Sequence, residues 1–190
     1  MISIERPGLD PLEIESILLD FDGTLAIDRR VHPKTKDKIN LLSRRANIHI
    51  FVILPIPPFN KVNPLTPPFN KLSPSAPPFN KGGKEGILAK ELIEERLRKV
   101  KAEIIYLAEG DSSGKKLDLL RQLGPTRCVA IGNGMDDAAL MQEAAIGICV
   151  ISKEGSSGEA MKHADLVFTD ILDALDFLLK PLRQKATLSI

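Results

Sequence analysis

Asp20 and Asp22 stand at the end of the apolar run Ile17-Leu18-Leu19, inside the hexapeptide Asp20-Phe21-Asp22-Gly23-Thr24-Leu25. Both carboxylates lean toward one point if the chain begins to turn after Asp20, and Gly23 permits that turn and a close approach of backbone to a ligand. Such a pair suits covalent phosphoryl transfer. One carboxylate attacks phosphorus; the other protonates the leaving oxygen and later deprotonates water. A phosphate beside two negative groups needs a divalent cation, and hard oxygen ligands suit magnesium. A second acidic segment, Ile131-Gly132-Asn133-Gly134-Met135-Asp136-Asp137, has glycines that let backbone pass close to a metal, with Asp136 and Asp137 to supply ligands or anchor its waters. Alone, Asp22-Gly23 is an ordinary turn and Gly132-Asn133-Gly134 a weak glycine motif. An apolar run followed by the whole hexapeptide is far more specific.

The elements that must hold these residues alternate between strand and helix. Ile2–Ile4 and Leu12–Ile14 flank Pro7-Gly8 and predict a small hairpin. Short apolar runs predict buried strands at Ile17–Leu19, Ile48–Leu54, Ile104–Leu107, Cys128–Ile131, Ile146–Ile151 and Leu166–Phe168. Helices are expected over Lys34–Arg45, Leu88–Lys101, Leu117–Leu123, Asp137–Ala145 and Ile171–Leu179. This alternation implies an α/β, doubly wound parallel sheet with right-handed crossovers, whose ligands sit at the carboxyl ends of the strands.

Composition narrows the function. At 190 residues the chain suits one domain; Lys+Arg 26 against Asp+Glu 25 leaves a net charge of +1, and aromatics are 4% with no Trp. Neither an electrostatic pull toward nucleic acid or membranes nor a base-stacking surface is expected. Cys128 and Cys149 lie in apolar runs without metal-type spacing and read as buried reduced thiols of a cytoplasmic protein. No apolar run reaches membrane-span length, and Met1–Pro7 carries no signal-peptide pattern. Of 14 prolines, nine fall between Pro55 and Pro78, where Pro-Pro-Phe-Asn-Lys recurs from Pro57, Pro67 and Pro77 with a period of ten. Proline lacks the amide donor and pushes its predecessor extended, so residues 55–86 are expected to be an extended insert in a single domain spanning 1–190.

The Asp20 hexapeptide resembles the nucleophile motif of the haloacid dehalogenase (HAD) superfamily, and the stretch from Val129 to about Asp170 is similar to the phosphorylation domain of P-type ATPases. The resemblance implies a Rossmann-like fold with a minimal cap. It makes Asp20 the nucleophile, Asp22 the acid/base and Lys116, with Lys115 as competitor, the charge-neutralising lysine. It puts Gly23, Thr24 and Gly132 at the substrate, and magnesium on Asp20, Asp22 and one or more of the loop residues Asp136 and Asp137, with Asn133 as the further candidate. The activity implied is magnesium-dependent hydrolysis of a small-molecule phosphomonoester or similar phosphate, with a homo-oligomer compatible with it.

Two departures stand out. Asn133 occupies the position where the family usually has its first loop carboxylate, and the Ser or Thr that the family places at the tip of the second strand is missing: Leu54 is followed by Pro55 and the repeat. Thr66, Ser73 and Ser75 fall within the insert. Losing one preorganised donor costs on the order of 10²–10³ in rate. The alternatives are therefore a catalytically impaired phosphate- or metal-binding relative, or an interaction protein that uses the proline-rich repeat.

Overall fold

The computed structural model describes residues 1–28, 30–54 and 84–188 of the chain; the repeat itself lies outside the described residues. A hairpin opens the chain, β1 (Ile2–Ile4) antiparallel to β2 (Leu12–Ile14). β3 (Ser16–Asp20) is buried along its length and leads into a flap, β4 (Ala26–Ile27) against β5 (Arg30–Val31). α1 (Pro33–Leu42) has proline in its first turn, and the His32 ring accepts from the Lys34 amide. β6 (Asn47–Leu54), α2 (Lys84–Arg96), β7 (Glu103–Ala108) and α3 (Ser112–Leu123) follow. β8 (Cys128–Gly132) enters a 3₁₀ turn at Met135–Asp137 and then α4 (Ala138–Glu143). β9 (Ile146–Val150), α5 (Gly158–His163), β10 (Leu166–Phe168), α6 (Ile171–Leu179) and α7 (Pro181–Leu188) complete the order.

Six strands form one parallel sheet in the order β10-β9-β8-β3-β6-β7. The chain winds one way from β3 through β6 to β7, then returns to β8 on the other side of β3. That reversal opens a crevice at the carboxyl ends of β3 and β8. The expected doubly wound α/β fold is therefore present.

Side chains alternate faces along each strand. Ile17, Leu19, Ile50, Val52, Val129 and Ile131 pack one way, with Ile39 and Leu42 of α1, Ile93 of α2 and Ala174 and Leu178 of α6. Leu18, Phe51, Cys128, Ala130 and Cys149 pack the other way, with Leu120 of α3 and Leu140 and Met141 of α4. Asp20 continues the row of Leu18 and lies opposite Phe51 in the β3–β6 register, so strand parity aims it at the face covered by α3.

Several bounds differ from the sequence expectation. α2 opens at Lys84, so residues 84–86, assigned above to the insert, are helical. α3 begins at Ser112, which puts Lys116 in its second turn rather than at its start. α5 and α7 were not anticipated. Both cysteines are buried and free, as their apolar surroundings predict. Among the described residues no helix is long and apolar enough to cross a membrane.

Candidate active site

On α3, Ser112, Lys116 and Leu120 are the buried residues, spaced four apart, so Lys116 lies on the stripe that faces the sheet. Its side chain is 0% exposed. An ammonium has three N–H donors. Here Nζ meets Asp20 Oδ1 at 2.9 Å, Asp136 Oδ2 at 2.6 Å and Asp137 Oδ1 at 2.6 Å. The same Nζ sits 5.8 Å from the Phe51 ring centre. One lysine thus gathers the end of β3 and the loop after β8 around a single point.

Asp137 shapes that loop. Its Oδ2 accepts the amides of Asn133 at 3.1 Å and Gly134 at 3.0 Å, while Oδ1 takes Lys116. A Cβ on Gly132 would lie 2.3 Å from the Asp137 carboxylate, so the loop closes this tightly only over glycine. The β3 loop has a matching requirement. Gly23 has φ +74°, and a Cβ there would lie 2.4 Å from Asn133 Nδ2. Asn133 Oδ1 accepts the Thr24 hydroxyl at 3.1 Å, and its Nδ2 donates to the Gly155 carbonyl at 3.3 Å.

The electrostatics are those of a crowded anionic site. Burial pushes the Asp20 carboxyl well above the usual carboxylate range, and the Asp137 charge adds to the rise against the pull of Lys116. Burial likewise raises Asp137, opposed by Lys116. Burial favours the neutral amine of Lys116, but Asp20, Asp137 and Asp136 outweigh it and hold the lysine charged. Asp20, Asp136 and Asp137 each offer an oxygen, and these atoms lie within 4.8 Å of one another. Hard carboxylate oxygens converging with excess negative charge fit a divalent cation such as magnesium.

Above the cluster opens a cleft of about 300 Å³ lined by Asp20, Asp22, Ile53, Glu109, Asn133, Gly134 and Asp136. Of the residues singled out from the sequence, Asp20, Asp22, Asn133 and Asp136 reach its surface. Lys116 and Asp137 lie buried beneath it. Gly23, Thr24 and Gly132 belong to the two loops that frame it, with the Thr24 hydroxyl turned to Asn133. From β6 the residue lining the cleft is Ile53, and Thr66, Ser73 and Ser75 lie outside the described residues. Glu109 was missed by sequence reasoning. It follows β7 as an isolated exposed carboxylate, and only the β6–β7 register, with its amide bonded to the Leu54 carbonyl at 3.2 Å, carries it to the cleft. Two larger hollows, of about 360 and 380 Å³ around Ser43 and Asn47, contain none of the clustered carboxylates.

No protein-family model matches the chain. Among solved structures, the fold is similar to 3-deoxy-D-manno-octulosonate 8-phosphate phosphatase from Moraxella catarrhalis, solved with magnesium, phosphate and its sugar acid. The TM-score is 0.57 at 13% identity, covering 92% of this chain and 89% of that one. The cobalt-bound deoxy-D-mannose-octulosonate 8-phosphate phosphatase from Haemophilus influenzae superposes with a TM-score of 0.55 at 12% identity, covering 88% of both chains. The Yersinia pestis phosphatase gives 0.57 at 13%, covering 99% of this chain and 96% of that one. In sequence, the uncharacterized protein MJ0073 of Methanocaldococcus jannaschii is 42% identical over 83 residues, which are 43% of this chain and 89% of that protein. The chain thus has the fold of the HAD-superfamily phosphatases and belongs to one family with MJ0073.

Proposed function

We propose that the chain is a magnesium-dependent phosphohydrolase that works through an aspartyl-phosphate on Asp20. The observation that carries this reading is the convergence of Asp20, Asp136 and Asp137 on Lys116 at the reversal point of the sheet. The phosphatase names of the structural neighbours add support, as does their magnesium or cobalt.

Lys116 fixes the rotamer of Asp20 and offsets part of its charge. One Asp20 oxygen attacks phosphorus as the bond to the leaving oxygen breaks, and Asp22, at the exposed side of the cleft, gives that oxygen its proton. Asp22 then takes a proton from water, whose oxygen attacks phosphorus and releases Asp20. A bound magnesium ion supplies the positive charge that keeps Asp20 ionised and a phosphate in contact with it. Asp20 and Asp136 would hold the ion, with Asp137 anchoring the loop beneath them.

Within this reading the repeat over residues 55–83 is an insert at the end of β6 in one domain, and the free, buried cysteines suit the reducing cytoplasm. The likeness to soluble stand-alone P-type ATPase phosphorylation domains covers nearly the whole chain outside residues 55–86, and Val129 to about Asp170 carries the corresponding acidic loop. A second reading has its own support. Ile53 stands on the cleft wall where the resemblance calls for a hydroxyl, and Asn133 where it calls for a carboxylate, which favours an impaired phosphate- or metal-binding relative.

The test is turnover of an aryl phosphate by wild type and Asp20→Asn, with magnesium or with EDTA. Hydrolysis should require magnesium and fall by at least about 10³-fold in the variant. Turnover that survives Asp20→Asn refutes the mechanism. A silent wild type that still gains thermal stability from magnesium supports the impaired relative.

A further inference from the structure

The Asn133 amide makes contacts that a carboxylate could not reproduce. Its Oδ1 accepts from the Thr24 hydroxyl on the β3 loop, and its Nδ2 donates to the Gly155 carbonyl in the turn after β9. That position calls for an acceptor and a donor on one planar terminal group, which among short side chains only an amide offers. Its backbone continues the same connection. The Asn133 carbonyl accepts the Ser157 amide at 2.9 Å and the Ser156 hydroxyl at 3.0 Å. Gly23, where a Cβ would strike Nδ2, leaves the space in which the amide lies. The turn reached in this way also holds the flap. Glu154 Oε1 accepts the amide of Asp28 at 2.7 Å, and Asp28, at the flap tip, has φ +50°.

We infer that Asn133 is a positioning residue, a clasp joining the nucleophile loop, the turn 152–157 and through Glu154 the flap, and that cation ligation falls to Asp20 and Asp136. This rests on the reading of the cleft as a cation-dependent phosphoryl-transfer site. It explains why asparagine replaces the expected carboxylate: a carboxylate oxygen in place of Nδ2 would face the Gly155 carbonyl, acceptor against acceptor, and open the turn.

The test compares wild type with Asn133→Asp, Thr24→Val and Asp136→Asn. It uses amide hydrogen exchange in EDTA, magnesium titration by calorimetry, and the split between kcat and the apparent magnesium constant on an aryl phosphate. Asn133→Asp and Thr24→Val should each speed exchange of the Ser157 and Asp28 amides by roughly five- to tenfold, as expected for one lost hydrogen bond. Exchange in β3 and β8 should stay unchanged. The double variant should be little worse than either single one. Asn133→Asp should lower kcat while leaving the magnesium dissociation constant within about twofold, whereas Asp136→Asn should weaken magnesium at least tenfold. Magnesium binding that tightens tenfold or more in Asn133→Asp, with Ser157 and Asp28 exchange unmoved, overturns the clasp and makes residue 133 a ligand. Uniformly faster exchange in all elements also overturns it, because a general packing role would then suffice. Exchange is read without turnover, so a wild type that hydrolyses nothing refutes the proposed function and leaves the clasp to be judged on its own.

Discussion

Lys116→Met is the sharpest perturbation of the cluster. Methionine keeps an unbranched apolar side chain of similar length and removes the ammonium, which sits 5.8 Å from the Phe51 ring centre, so little packing volume is lost. The wild-type ammonium is fully buried and bonded to three carboxylates at 2.6–2.9 Å, two of them on buried residues. Removing one partner of a buried ion pair costs about 3–5 kcal/mol, because the other charge stays desolvated. For a domain of this size that is a fall in Tm of roughly 6–20 °C. The assay is urea unfolding followed by circular dichroism, at neutral pH in EDTA. Exposed Arg121, paired to Glu143 at the surface, serves as control through Arg121→Gln, which should unfold with wild type. The pH profile gives a second reading. Burial and the Asp137 charge already place Asp20 above its unfolded pKa, so protonation favours the folded state and stability falls as pH rises through the native value. Without Lys116 that upward shift grows, and mild acid should restore part of the lost stability. A Lys116→Met unfolding free energy within about 1 kcal/mol of wild type in EDTA would refute the reasoning, since the buried carboxylates would then need no counter-charge.

Asp20→Asn removes a charge whose burial is unfavourable, so in EDTA at neutral pH its urea midpoint should equal or exceed that of wild type and depend less on pH; a lower midpoint contradicts the assignment. Gly132→Ala forces a Cβ into the Asp137 carboxylate and should cost about 1–3 kcal/mol and remove most of the stabilisation by magnesium, read as the difference between melts in EDTA and in magnesium. Burial pushes the Cys128 thiol up to about 11 and raises Cys149 as well, so neither should react with an aromatic disulfide reagent at pH 8 until denaturant unfolds the chain. Inorganic phosphate should raise Tm only when magnesium is present; a shift with phosphate alone would mean that the protein supplies the cationic contacts itself.

The fold was legible because its strands are continuous apolar runs, and Asp20 because it ends one of them. What sequence could not show lies in contacts between distant segments. Helix α3 starts among Ser112, Ser113 and Gly114, residues of modest or poor helix propensity, and tertiary burial of Ser112 and Lys116 overrides that preference. Helix α7 begins at Pro181, which from sequence reads as the end of α6. Its anchor is Gln184, 1% exposed, whose Nε2 donates to the carbonyls of Phe177 and Leu178 at the end of α6. A lone glutamine carries no local sign of that role. Glu109 was invisible for a related reason, since strand pairing rather than a motif brings it to the cleft.

Charge decides what the site can do. Four carboxylates, Asp20, Asp22, Glu109 and Asp136, line the cleft, and Asp137 lies beneath it. No lysine or arginine is among the described lining residues, and the donors of Lys116 are already committed to carboxylates. A phosphate brought to about 4 Å from one such charge meets a repulsion of about 4 kcal/mol per unit charge at an effective dielectric of 20. Hydrogen bonds from Ile53 cannot offset this, because that side chain has none to give. Under the proposed function a divalent cation would therefore be the condition for substrate binding as well as for chemistry. In that reading the residues that would hold the ion would govern both steps. The largest weight then falls on Asp20 and Asp136, with Lys116, Asp137 and Asn133 keeping those two carboxylates and their loops where a cation could be held.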